Sequence, residues 1–103
     1  MEHRHEQRIA CTLSIELYRA DGPAGNAEVQ NVSKSGLCIR TTVPLHRCEI
    51  IHIKFPDQAG QHNWPADEQA LVTHANDGLA GLLFDRPVFK NLQDLQQLCE
   101  EIG

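Results

Sequence analysis

The chain has 103 residues, of which 41% are hydrophobic and 22% charged; this suits one small domain around a single core and argues against disorder over most of the length. Its formal net charge of -5 excludes general binding to DNA or RNA, which needs a broad basic surface to displace the counterions of a long polyanion. No apolar run is long enough to cross a membrane as a helix, and the polar start Met1-Glu2-His3-Arg4-His5-Glu6 lacks the apolar stretch of a secretory signal, so a cytoplasmic protein without membrane insertion is expected.

Residues 1–8 are polar and are expected to form a flexible amino-terminal arm. From Ile9 to Tyr18 the residues Ile9, Cys11, Leu13, Ile15 and Leu17 alternate with Ala10, Thr12, Ser14, Glu16 and Tyr18, a period of two that predicts a half-buried strand. The cluster Ala20-Asp21-Gly22-Pro23-Ala24-Gly25 reads as a turn. A second strand is expected from about Asn26 to Val32, ended by a polar corner at Asn31-Val32-Ser33-Lys34-Ser35-Gly36, and a third from Leu37 to Val43 with Pro44 as its stop. Glu49 to Phe55 reads as strand four, with Ile51, Ile53 and Phe55 on one face and Ile50, His52 and Lys54 on the other. Asp57 to Ala66, which contains the lone tryptophan Trp64, is the longest irregular stretch; Trp64 reads as a packing residue beneath it.

Strand five is expected from Asp67 to Ala75, Asn76-Asp77-Gly78 as a turn, and strand six from Leu79 to Phe84. After Pro87 the period changes. Asn91 can cap a helix on which Leu92, Leu95, Leu98, Cys99 and Ile102 form one apolar stripe. The fold class expected is mainly β: a six-stranded antiparallel β-barrel over residues 9–103, completed by a C-terminal α-helix on its surface or over one opening. Cys11, Cys38, Cys48 and Cys99 contain no Cys-x-x-Cys pair and are expected to be reduced, as small apolar fillers.

Two polar motifs carry the functional signal. Arg4 and Arg8 stand four residues apart in the arm, and Asn31, Ser33 and Gly36 share the corner after strand two. Residues 1–48 hold six Arg or Lys against five acids, whereas residues 49–103 hold three against nine, so an anion is expected to prefer the half in which both motifs lie. An amide offers donors and an acceptor, a hydroxyl does the same, and a glycine lets another surface approach the main chain. Taken alone, the arginines also suit a solvated pair and the corner residues a simple turn. No nucleophile with an adjacent base, phosphate loop or metal set is evident, and no acidic or cysteine cluster completes a site around His3 and His5; neither enzymatic activity nor a cofactor or metal is expected.

Arg4-x-x-x-Arg8, a strand pair, then Asn31-x-Ser33-x-x-Gly36, with Gly81-Leu82-Leu83-Phe84 closing strand six, resembles the PilZ domain, the bacterial receptor for the second messenger cyclic di-GMP. The resemblance covers nearly the whole chain. It implies that Arg4 and Arg8 grip guanine edges or phosphates with their planar forks, that Asn31 reaches a guanine edge, that Ser33 is the next contact, and that Gly36 permits the turn and the ligand's approach. His3, directly before Arg4, is a further candidate donor near a phosphate, while Lys34 and Arg40 read as surface charges. The function implied is a cyclic di-GMP receptor whose arm closes on the ligand and which signals to a downstream protein partner in control of motility, exopolysaccharide production or virulence. The alternative is a PilZ-like adaptor that acts through a protein interface without nucleotide.

Overall fold

The computed structural model describes residues 8–55 and 67–86. Six strands, β1 (Ile9–Arg19), β2 (Gly22–Ser33), β3 (Gly36–Thr41), β4 (Ile50–Lys54), β5 (Asp67–Asn76) and β6 (Leu79–Leu83), close into an antiparallel barrel in the order β1-β2-β3-β6-β5-β4, with β4 pairing back onto β1. No helix occurs among the described residues. The helix expected after Asn91, the Trp64 stretch and arm residues 1–7 lie outside them, as does Cys99.

The alternation read in β1 is the reason the barrel has an inside. Cys11, Leu13, Ile15 and Leu17 are buried, as are Val29, Ile39, Ile51, Ile53 and Val72 from the neighbouring strands, while the intervening residues face outward. Burying each such aliphatic side chain contributes roughly 1.5–3 kcal/mol relative to exposure. Ser33 and Thr41 are the buried polar residues among those described. Thr41 is satisfied locally: its Oγ1 donates to the Asn26 carbonyl (2.7 Å) and accepts from the Val43 amide (3.1 Å).

Three expectations are corrected. The cluster from Ala20 to Gly25 is not one turn, because only Ala20 and Asp21 turn and β2 already begins at Gly22. Pairing skips Ala24, since Leu17 faces Gly25 and Tyr18 faces Pro23, and Gly22 and Gly25 take up the distortion at φ 131° and 146°. The corner at Asn31–Gly36 is likewise mostly strand: Asn31 and Ser33 belong to β2 and Gly36 to β3, leaving Lys34 and Ser35 as the turn. β3 stops at Thr41, before Val43: Thr41 still pairs with Ala27 of β2, its amide donates to the Gly78 carbonyl (2.8 Å), and its hydroxyl turns back to bond Asn26 and the Val43 amide.

The β3–β4 connection is tied down from both sides. Arg19 donates through Nε to Glu49 (2.5 Å) and through Nη2 to the Pro44 carbonyl (2.6 Å), and the His46 amide donates to Glu49 (3.0 Å). The guanidinium beside Glu49 holds its carboxyl below the ordinary glutamate value of 4.5. Cys48 stands in this connection, exposed and at φ 73°, so it is not the core filler expected; Cys11 is buried and Cys38 half-buried. Lys34 and Arg40 are exposed, as surface charges should be.

Candidate functional site

Two irregularities in the ladder build a cleft on the outer wall. In β2, Val29 faces Ile39 and Asn31 faces Cys38, so Gln30 is an extra residue. Inward alternation therefore breaks: Val29 and Val32 are buried, while Gln30 and Asn31 between them are both half-exposed. A bulge re-aims a side chain in this way, and here it turns Asn31 outward. In β5, Val72 faces Leu82 and His74 faces Gly81, so Thr73 is the extra residue, and His74 is exposed. Between the two bulges run β3 and β6, paired with each other.

The hollow bounded by these four strands has a volume of about 360 Å³, within the range of small-molecule sites. Arg8, Asn31, Ser33 and Gly36 line one side, and Thr73, His74 and Gly81 the other. Arg8 precedes β1, whose Ile9 and Ala10 pair with Val32 and Asn31, so the closing of the β1–β2 pair delivers the arginine to the bulge. Its Nη1 donates to Asn31 Oδ1 at 2.7 Å. Because a guanidinium can only donate, this contact also orients the Asn31 amide, oxygen toward Arg8. No acid lines the cleft among the described residues, so the positive charge of Arg8 is not cancelled there.

Ser33 is 1% exposed, and its Oγ donates to the Gly36 carbonyl at 3.5 Å, a long bond across the turn. The turn is anchored from β6 as well, by the Phe84 amide to the Ser35 carbonyl (2.8 Å). Gly36 is required by contact rather than by torsion: a Cβ there would stand 2.7 Å from the Leu82 carbonyl oxygen. At Gly81 a Cβ would meet the His74 ring and Thr73 Oγ1, side-chain atoms that can shift, so a substitution there would displace the ring rather than the ladder.

The structure thus brings together Arg8, Asn31, Ser33 and Gly36, four of the residues selected from sequence, while Arg4 and His3 lie outside the described residues. Sequence reasoning missed Thr73 and His74, and read Gly81 as part of the ending of strand six rather than as a site residue. A period-of-two reading places alternate β5 residues on one face; the inserted Thr73, which no turn residue announces, is what breaks it.

Among family models, the PilZ domain matches residues 2–101. No curated protein matches the sequence significantly. The crystal structure of the PilZ domain of CeSA from a cellulose-synthesizing bacterium is 17% identical, with a TM-score of 0.59 over 93% of this chain and 97% of that one. The structure of the Bacillus subtilis inhibitor of motility (MotI/DgrA) is 16% identical, with a TM-score of 0.61, covering 99% of this chain but 51% of its own, so this chain spans about half its length. At such identities the likeness establishes a shared fold.

Proposed function

The chain belongs to the PilZ domain family, a family of non-catalytic cyclic di-GMP receptors, and on that premise we propose that it binds cyclic di-GMP in the cleft between β2 and β5. The observation that carries this reading is the 2.7 Å bond from Arg8 to Asn31, which joins two motifs 23 residues apart at the edge of a hollow floored by Gly36 and Gly81. A dinucleotide with two guanines and two phosphates needs planar donors and positive charge together, and a guanidinium supplies both. Arg4 and Arg8 grip base edges or phosphates, Asn31 reaches a guanine edge, and His3 adds a donor. Ser33 shapes the turn and Gly36 admits the ligand.

Residues 1–8 close over the bound nucleotide, and the changed surface signals to a downstream protein in the cytoplasm, in control of motility, exopolysaccharide production or virulence. Calorimetry with cyclic di-GMP tests the receptor reading: saturable binding that weakens in Arg8→Lys, where a point charge replaces the fork, supports it. No heat at saturating nucleotide overturns it in favour of an adaptor that acts without ligand. Hydrogen exchange on residues 1–8, equal with and without nucleotide, would count against closure.

A further inference from the structure

Asn31, Cys38, Gly81 and His74 lie in register on four adjacent strands, β2, β3, β6 and β5. Three steps of inter-strand spacing separate the ends of this row by at most about 14 Å. Arg8 stands at one end, bonded to Asn31, and the His74 ring at the other. Between them Gly81 contributes no side chain, and its lack of a Cβ is what lets the ring lie where it does. Thr73 Oγ1 is 3.4 Å from His74 Nδ1 and donates to the Gly81 carbonyl at 3.2 Å, so this edge of the ring is occupied. Nε2 has no partner among the described residues.

We propose that His74, steadied by Thr73, is a second anion subsite on the wall of the cleft opposite Arg8, pairing as an imidazolium with one phosphate of the dinucleotide while Arg8 holds the other end. The proposal rests on the receptor reading above. Imidazole is the side chain that ordinarily changes charge between pH 5 and 8; the phosphodiesters, the guanines and the arginines do not ionise between pH 6 and 8. Affinity at this subsite is therefore coupled to uptake of a proton. On the elements around His74, β6 supplies no ionisable group, β3 supplies the Cys38 thiol and the exposed Arg40, β5 itself carries Asp67 and Glu68 at its far end, and Arg8 lines the cleft opposite. The β3–β4 connection meets β5 at Val72 through the backbone of Cys48 and Glu49; it carries the exposed His46, Arg47 and Cys48, and its Glu49 carboxylate is engaged by Arg19.

The test is calorimetry with cyclic di-GMP from pH 8 to pH 6 on the wild-type chain, His74→Gln and His74→Lys. Wild-type affinity should rise about tenfold toward pH 6, the effect of one added charge-assisted bond. His74→Gln should be flat with pH at the weak, pH 8 level, and His74→Lys flat at the tight, pH 6 level. His74 is exposed, so both variants should melt at the wild-type temperature, which a thermal melt checks. Wild-type binding that is flat with pH, or a His74→Gln profile that keeps the wild-type slope and so assigns it to another histidine, overturns the subsite alone. Absence of binding at every pH overturns the receptor reading together with it.

Discussion

Two hollows on the described part of the barrel invite comparison, and the larger is the poorer candidate. The second, of about 590 Å³, lies where β3 and β6 reach their other ends, among Thr41, Val43, Leu45, Asp77 and Leu79. No Arg, Lys or His lines it among the described residues, and its charged group is the Asp77 carboxylate, which repels an anion. The smaller hollow, of about 360 Å³, gathers Arg8, the Asn31 amide, His74 and two glycines without an acid. Both are concave and both are partly apolar, so shape does not separate them. What separates them is the sign of the charge and the convergence of donors, and these follow from the two bulges that turn Asn31 and His74 outward.

A substitution beneath both hollows should have the largest effect. Ile39 is fully buried in β3, between Leu37 under the first hollow and Thr41 under the second, and Ile39→Ala should cost about 2–5 kcal/mol in a denaturant melt. The next experiment sets one hollow against the other: Arg8→Ala should weaken cyclic di-GMP binding roughly tenfold to a hundredfold, the range of one hydrogen bond to a charged group. Asp77→Asn, at a φ of 55° that asparagine tolerates, should change it less than about twofold, since an exposed charge at the far end is screened. Comparable losses from both would erase the distinction.

Gly36→Ala should be felt only at the first hollow. Its Cβ would press on the Leu82 carbonyl, displacing the β3–β6 ladder at a cost of about 1–3 kcal/mol, and binding should fall with it; unchanged affinity would mean that the ladder there does not shape the site. The smallest effect belongs to the strap at the other end. Because Glu49 is held below its ordinary 4.5 by Arg19, the pair's contribution to stability is fully present above that value and is lost as pH falls through the lowered one. Arg19→Gln should therefore lower the melting temperature at pH 7 and converge on the wild type in acid. A constant gap between the two would assign the loss to the Pro44 carbonyl bond instead.

Much of the architecture is legible in local pattern. The alternation from Cys11 to Leu17 and the triplet Ile51, Ile53 and Phe55 state which faces turn inward, and they do, with Ile9 partly buried at the end of the row. Asp77 and Gly78, at φ 55° and 81°, form the tight hairpin turn that Asp-Gly announces. The glycine-proline cluster at 22–25 misleads because the same residues that permit a loop also permit a strand to absorb a bulge.

For the site, the resemblance carried by Arg8, Asn31, Ser33 and Gly36 selected residues that meet: Asn31, Ser33 and Gly36 flank the β2–β3 turn, and the β1–β2 pairing brings Arg8 to Asn31 across 23 residues of chain. That Thr73, His74 and Gly81 join them was decided by tertiary structure alone. β6 lies between β3 and β5 only because the barrel closes in that order, and His74 faces outward only because Thr73 is inserted against Leu82 and Gly81. A period of two describes what one strand shows its own neighbours along the chain; which strand stands beside it, and in what register, is set by how six of them share one core.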